Sequence, residues 1–133
     1  MVQVTTRHCG DMLFENRIGR HTIAADVPPE AGGQDRGPTG TELLAAAIGS
    51  CVAAAVAYHG GRAGADMADV TVEVTCEWAA RPLRMADFQL TIHMPHVTDP
   101  AVREALLEAA GHCPVLETLA AHEPAVIRAA GAA

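Results

Sequence analysis

The feature that most constrains this chain is a run of 16 residues without a charge, Leu43 to Tyr58. The run is rich in alanine and contains Gly49, Ser50 and Cys51, whereas a membrane span needs about 20 strongly apolar residues. It therefore predicts a buried helix of a soluble protein and no membrane insertion. Because this helix is apolar on every side, it needs cover all round, which one small sheet cannot supply. A homodimer would supply the missing cover.

The length and charge of the chain limit what it can be. Half of its 133 residues are apolar, which is enough to bury a core, and we expect a single domain over residues 1–133. The net charge is −7, and the nine Lys and Arg residues are scattered. A nucleic-acid partner is not expected, because phosphate binding needs clustered cations. Small molecules or proteins are the expected partners.

The N-terminal segment predicts a cytoplasmic protein. Met1 to Thr6 has neither the basic start nor the apolar run of a secretory signal. Thiols are kept reduced in the cytoplasm, so structural disulfides are not expected there. The four cysteines are therefore expected to be catalytic, redox-sensing, metal-binding or simply buried.

Strand patterns lie on both sides of the uncharged run. Residues 2–25 are punctuated by glycine and asparagine and predict a meander of short strands that ends before Pro28 and Pro29. Residues 30–37 are rich in turn formers and predict a mobile loop. After the helix, residues 70–78 and 88–94 alternate apolar and polar side chains, which predicts two neighbouring antiparallel strands.

The C-terminal third predicts helices. Asp99 and Pro100 are a capping residue followed by a proline at the first helical position, and Gly111 is expected to end that helix. Pro114 is expected to begin a shorter helix that runs to Ala121. The tail, residues 124–133, is expected to add a strand at 125–128.

The cysteines differ in how unusual their settings are. Cys76 has an inward position on an alternating strand and is expected to be a core residue, and Cys51 taken alone also fits a helix core. Cys113 directly precedes Pro114. The first N–H groups of the helix that begins there are expected to point at its sulfur and to favour the thiolate. The sequence gives no role to Cys9.

Two segments resemble a known family. Residues 37–51, Gly-Pro-Thr-Gly-Thr-Glu-Leu-Leu-Ala-Ala-Ala-Ile-Gly-Ser-Cys, are similar to the helix that carries the peroxidatic cysteine of OsmC/Ohr-like proteins. His112-Cys113-Pro114-Val115 is similar to their second-cysteine motif, and the order of the elements also fits. The Glu-Leu-Leu pattern at Glu42 resembles the general OsmC-like group more than the dedicated organic hydroperoxide enzymes.

The resemblance implies a fold and an activity. The fold is the α+β OsmC-like fold: an N-terminal meander, a long central helix, further strands and C-terminal helices, in an intertwined homodimer. The activity is thiol-dependent reduction of organic or hydrogen peroxides without a cofactor. Cys51 would attack the peroxide and become a sulfenic acid, and Cys113 would resolve it as a disulfide. An external dithiol would restore both thiols.

The resemblance also implies groups that activate Cys51. Free cysteine has a pKa of about 8.5, so a cation must stabilise the thiolate at neutral pH. The family uses an arginine from the N-terminal region, for which Arg20 is the closest match and Arg17 and Arg36 are alternatives. Glu42 is the counterpart of the family's catalytic carboxylate, and it could act by orienting an arginine or by facing a partner subunit's site.

Glu42 has a structural interpretation as well. Thr39-Gly40-Thr41-Glu42 fits a capping box, in which the glutamate bonds back to the N–H of the cap. Nine residues at about 100° each place Glu42 on the opposite side of a regular helix from Cys51, about 13.5 Å along the axis. Direct contact between the two within one helix is therefore not expected.

Two interpretations of other classes remain. His8-Cys9 and His112-Cys113 could contribute to a metal site, although neither has the spacing of a zinc motif, and we expect no metal. Alternatively, the chain could be a dimeric small-ligand-binding or stress-response protein whose cysteines only fill its core. Reactivity of Cys51 toward a hydroperoxide distinguishes the two functions.

Overall fold

The computed structural model describes residues 1–131 and has a mixed α+β architecture with two antiparallel sheets. The strands and helices, in chain order, are β1 Val4–His8, β2 Phe14–Ile18, β3 His21–Ala25, α1 Gly40–Arg62, β4 Thr71–Ala79, β5 Arg84–His93, α2 Pro100–Gly111 and α3 Pro114–Ala121. A 3₁₀ helix, Pro29–Ala31, lies between β3 and α1.

The described chain divides into two compact units. The first contains residues 1–46 and 77–86, and the second contains residues 47–76 and the chain from 87 onward. The helix α1 and the hairpin strands β4 and β5 each pass from one unit to the other.

The first unit contains the predicted meander. Strand β2 pairs antiparallel with both β1 and β3, in the registers Val4 to Ile18 and Ile18 to His21. A two-residue turn joins β2 to β3, with Gly19 at φ 58°, a left-handed conformation that glycine adopts without a steric penalty. Most side chains of these three strands are exposed, so the meander has little cover within the chain.

The loop after β3, for which the sequence predicts mobility, is organised around a buried carboxylate. The side chain of Asp26 has no exposed surface and accepts backbone N–H groups from Val27 at 2.8 Å, Arg36 at 3.1 Å and Gln34 at 3.3 Å. The Nε atom of Arg36 donates to it at 2.7 Å. These bonds connect the two ends of the loop. They also supply the partners that a buried charge requires.

The second unit has its core between α1, the hairpin and α2. The buried residues of α1 lie four positions apart, at Ile48, Val52, Val56 and Gly60, and so form one stripe. Val52 and Val56 pack against buried residues of later segments: Met94, Val97, Leu106, Ala110 and Cys113. A Cβ atom at Gly49 would lie 3.3 Å from Cγ2 of Val74, so glycine allows α1 to approach β4 closely.

Within one chain α1 is buried along a single stripe only, as expected of a helix that one small sheet cannot cover on every side. Four of its 23 residues are buried, whereas Ala54 and Ala57 are exposed and Tyr58 is 60% exposed. The physical reason is that the core of one chain contacts a single stripe of the helix. By length and composition α1 could also cross a membrane, a test that the core helix of a soluble protein passes too.

The alternating patterns of the hairpin strands are largely confirmed. Val72, Val74 and Cys76 of β4 are half-buried and alternate with exposed residues, and β5 shows the same alternation from Phe88 to His93. Trp78 departs from the predicted inward face. It lies near the turn of the hairpin and is 60% exposed.

The C-terminal helices begin where the sequence predicts. The Asp99 side chain accepts the N–H of Ala101 at 2.9 Å and caps α2, and Cys113 is the residue before the first turn of α3. The predicted strand at 125–128 is absent, because residues 124–130 have no regular hydrogen-bonded structure. The predicted tail also includes residues 132–133, which lie outside the described residues.

Candidate functional site

The structure brings Cys51 and Cys113 together in the second unit. Cys51 lies on α1 beside the buried stripe, and its half-buried side chain packs against the core cluster that contains Cys113. The Cys113 side chain is 2% exposed, and the Cys51 thiol is close enough to affect its pKa. The four cysteines are all free thiols, so the site as described is the reduced form.

The junction of α2 and α3 holds Cys113 in place. Its N–H donates to the carbonyl of Ala110 at 3.3 Å, and its carbonyl accepts the N–H of Glu117 at 3.0 Å. Pro114 follows at the first helical position, where its missing N–H would have had no helical partner. Cys113 therefore lies between the end of α2 and the first turn of α3, and its sulfur is directed into the core.

The pKa of Cys113 is raised above its ordinary value. Burial is the main cause, and the neighbouring Cys51 thiol raises the pKa further. The backbone N–H groups of Leu116 and Val115 lower it, which is the helix effect expected from the sequence. Burial prevails, so the predicted preference of Cys113 for the thiolate is wrong: the group is a neutral thiol at pH 7.

A groove of about 450 Å³ reaches the Cys113 side of this pair. Its lining is mostly small and apolar and includes, besides Cys113, three titratable residues: His59, Glu108 and His112. The remaining lining residues are Ala55, Ala105, Ala109 and Pro114. The Nδ1 atom of His112 lies 2.8 Å from Oε1 of Glu117, so a residue whose imidazole is held by a carboxylate lines the same groove as Cys113.

The predicted activating groups belong to the first unit. Arg20 lies in the exposed turn between β2 and β3, and Arg17 is exposed on β2. Arg36 is bonded to Asp26, and its Nη2 atom lies 3.8 Å from Oδ2 of Asp11. The charge of Arg36 is therefore neutralised by carboxylates of its own unit.

Glu42 forms the predicted capping box. The Thr39 N–H donates to Oε2 of Glu42 at 3.1 Å, and the Glu42 N–H donates to Oγ1 of Thr39 at 3.2 Å. These reciprocal bonds satisfy two N–H groups at the start of α1. The structural role of Glu42 is thus confirmed, while its catalytic role stays a prediction.

Within the described residues, the two His-Cys pairs considered for a metal do not form a common site. Cys9 is exposed in the turn after β1, and its thiol contacts the carbonyl of Arg7 at 3.5 Å. The Nε2 atom of His8 lies 2.7 Å from the carbonyl of Asp11. Within residues 1–131, no group of three or more His, Cys, Asp or Glu side chains is arranged to hold a metal ion.

Sequence reasoning missed two side-chain pairs. Asp26 with Arg36 and His112 with Glu117 each join residues across a loop or a break between helices. Neither pair has the regular helical spacing that reveals neighbouring side chains in a sequence. The clue for Asp26 was its position before two prolines, which indicates only where a strand ends.

A comparison with protein families shows the family to which this chain belongs. The family model described as OsmC-like protein matches residues 32–127, more than two thirds of the chain. The chain belongs to the OsmC-like protein family. The match spans both units and includes Cys51 and Cys113, whereas Arg20 lies before it. The resemblance seen in the two cysteine motifs is confirmed.

Solved structures share the OsmC-like fold with this chain. A candidate osmotic stress induced and detoxification response protein of Psychrobacter arcticus 273-4 is 24% identical, with a TM-score of 0.81 over 89% of this chain and 88% of that chain. An OsmC like protein of Mycoplasma pneumoniae is 15% identical, with a TM-score of 0.76 over 92% and 89% of the two chains.

A third solved structure is named for a function. It is an organic hydroperoxide resistance protein of Elizabethkingia anophelis, 16% identical, with a TM-score of 0.70 over 92% of this OsmC-like chain and 89% of that chain. At such identities the likeness shows the fold. No curated protein matches the sequence significantly.

Proposed function

We propose that this OsmC-like protein is a thiol-dependent peroxidase that reduces organic hydroperoxides or hydrogen peroxide. The observation that carries the proposal is the neighbouring position of Cys51 on α1 and Cys113 at the junction of α2 and α3, which share one core. Family membership supports a role in stress or peroxide resistance. So does the shared fold with a protein named for organic hydroperoxide resistance.

The proposed chemistry has two steps on the protein. The Cys51 thiolate attacks the terminal oxygen of the hydroperoxide, the O–O bond breaks, and Cys51 becomes a sulfenic acid. The alkoxide or hydroxide that leaves takes a proton from the solvent and becomes the alcohol or water. The Cys113 sulfur then attacks the Cys51 sulfur, and the displaced hydroxide leaves as water after taking a proton. An external dithiol reduces the resulting disulfide and is itself oxidised, and no cofactor takes part.

Cys51 needs a cation to be a thiolate at neutral pH, and we propose Arg20 for this role. Arg36 is a weaker choice because Asp26 already holds its guanidinium. Glu42 is proposed to act through an arginine rather than on Cys51, because both of its observed bonds are with Thr39. We also propose that the chain forms a single OsmC-like domain and that the protein is cytoplasmic.

We further propose that the protein acts as an intertwined homodimer. The apolar face of α1 opposite its buried stripe is open, with Ala54, Ala57 and Tyr58 exposed. Ile18 and Ile23 of the meander are more than a third exposed as well. A second copy of the chain would cover apolar surfaces of this kind in both subunits at once.

The peroxidase proposal is tested by mass spectrometry of the thiols before and after one equivalent of cumene hydroperoxide or hydrogen peroxide. The expected product is a disulfide between Cys51 and Cys113. Cys51→Ser is expected to abolish peroxide consumption, and Cys113→Ser to stop at a trapped sulfenic acid on Cys51. Cys76→Ser is the matched control, because Cys76 is a half-buried free thiol on β4, and it is expected to keep full activity.

Two outcomes would overturn the proposal. One is an unmodified Cys51 after the hydroperoxide, and the other is undiminished peroxide consumption by the Cys51→Ser variant. Either would leave the alternative, a small-ligand-binding or stress-response protein of the same family, as the better account.

The homodimer is tested by native mass spectrometry of the wild-type protein and of Ala54→Glu. The substitution places a charge on the open apolar face of α1 and is expected to yield a folded monomer. Ala68→Glu, at an exposed loop position, is the control and should remain dimeric. A monomeric wild-type protein would contradict the proposal.

A further inference from the structure

The imidazole of His112 is held in a specific orientation at the exposed edge of the Cys113 groove. Its Nδ1 atom lies 2.8 Å from Oε1 of Glu117, which leaves Nε2 as the free nitrogen of the ring. His112 ends α2 and Glu117 lies in the first turn of α3. The break between the two helices, which positions Cys113, therefore also forms this pair.

His112 shares its groove with a thiol that needs a proton acceptor. His112 and Cys113 line the same groove, and Cys113 is buried among apolar side chains. Burial holds the pKa of Cys113 above its ordinary value, so the thiol must lose its proton to a base before its sulfur can attack. The proposed resolving step thus requires a base on this side of the site.

The titratable residues that line the groove are His59 on α1, Glu108 on α2, and His112 and Cys113 at the junction of α2 and α3. Two others lie behind this lining. Cys51 on α1 packs against the core cluster that contains Cys113, and Glu117 on α3 holds His112. Among these groups, His112 and Glu117 are the imidazole and the carboxylate that are joined by a hydrogen bond. Glu108 is an exposed carboxylate, a weaker base than imidazole near neutral pH.

A purely structural role explains the pair poorly. His112 and Glu117 are 72% and 57% exposed, and exposed ion pairs of this kind contribute little to stability. Two further imidazole and carboxylate pairs lie in the same unit, His93 with Glu73 at 3.4 Å and His96 with Asp69 at 3.1 Å. Among the three pairs in the described residues, only the one at His112 has a member that lines the groove reaching Cys113.

We propose that His112 is the proton-transfer residue of Cys113 and that Glu117 is its positioning residue. This inference deepens the proposed peroxidase function and rests on it. In the resolving step, neutral His112 accepts the Cys113 proton, the sulfur of Cys113 bonds to that of Cys51, and hydroxide leaves Cys51. When the external dithiol reduces the disulfide, imidazolium returns the proton to the Cys113 thiolate. Each step conserves protons and electrons.

The first test does not depend on peroxide. The alkylation rate of Cys113 by iodoacetamide is measured on the full chain by peptide mass spectrometry between pH 5.5 and 9.5. In the wild type we expect Cys113 to react already near neutral pH, with His112 as its base. In His112→Gln the rate at pH 7 should fall by about 10-fold or more and recover only in more alkaline solution, because burial raises the pKa of Cys113.

Variants separate proton transfer from structure. Glu117→Gln keeps the imidazole but removes its carboxylate, and it is expected to give a loss smaller than that of His112→Gln. His96→Gln removes a comparable pair elsewhere in the unit and should keep the wild-type profile. In His112→Ala, added imidazole should restore the alkylation rate in proportion to its concentration, because the groove has room for the free base.

The second test follows the proposed reaction. After one equivalent of hydroperoxide, trapping reports the sulfenic acid at Cys51, and quenched alkylation reports closure of the disulfide. His112→Gln should leave the first rate unchanged and slow the second by about 10- to 100-fold.

The inference is overturned if Cys113 in His112→Gln keeps the wild-type rate and pH profile, or if imidazole has no effect on His112→Ala. A protein whose Cys51 forms no sulfenic acid would instead end the proposed function. The alkylation profile of Cys113 would still decide whether His112 takes its proton.

Discussion

The Nε atom of Arg36 lies 2.7 Å from Oδ2 of Asp26, and the Asp26 side chain is fully buried. Three backbone N–H groups complete the shell of this carboxylate, from Val27, Gln34 and Arg36 itself. One residue thus joins the end of β3 to the far end of the loop that precedes α1. The loop leads directly into the helix that carries Cys51, so its integrity bears on how that helix begins.

Removing the charge of Asp26 is expected to destabilise the protein. Asp26→Asn loses the ion pair and leaves part of the buried shell unsatisfied, since an amide cannot accept all the bonds of a carboxylate. We expect the Tm to fall by about 5 °C or more, measured by circular dichroism. Asp11→Asn is the control, because Asp11 contacts the same arginine only at 3.8 Å and is exposed. Equal effects of both substitutions would contradict the assigned role.

The same carboxylate predicts a loss of stability in acid. The Arg36 guanidinium and the backbone N–H groups hold the pKa of Asp26 well below its ordinary value, against the opposing effect of burial. Its contribution to the free energy of unfolding is therefore complete above about pH 4 and is lost as the pH falls toward the lowered pKa. Urea unfolding between pH 2 and 6 should show this loss in the wild type. A slope of the same size in Asp26→Asn would assign the loss to other groups.

Glu42 allows its structural and catalytic roles to be separated. Glu42→Ala removes one bond of the capping box and should lower the free energy of unfolding by about 1 kcal/mol. Glu42→Gln can still bond the Thr39 N–H and should retain the stability, which urea unfolding measures. If Glu42 acts only as a cap, peroxide consumption by Glu42→Gln stays at the wild-type level. Reduced consumption at unchanged stability would instead establish the catalytic role.

The core stripe of α1 predicts a large effect of truncating one of its side chains. Val52 is completely buried against the cluster that contains Cys113, so Val52→Ala removes two methyl groups and leaves a small cavity. The free energy of unfolding is expected to fall by about 2 to 3 kcal/mol, with an unchanged urea dependence. Val126→Ala is the control, since Val126 is 72% exposed, and it should change stability little. A small effect at Val52 would mean that the core is looser than described.

The sequence by itself determined the features that depend on near neighbours along the chain. The uncharged run became α1, the alternating segments became β4 and β5, and Asp99 and Thr39 cap helices where their local patterns predict. These features depend on hydrogen bonds and side-chain periods that span a few residues. The motifs around Cys51 and Cys113 also sufficed to indicate the family.

The tertiary structure alone decided the features that depend on burial and on distant partners. It showed that α1 buries one stripe rather than its whole surface, that Asp26 organises its loop, and that Glu117 holds His112. It also reversed the expected protonation of Cys113. The helix effect is local and visible in the sequence, whereas desolvation comes from side chains that meet only in the folded chain.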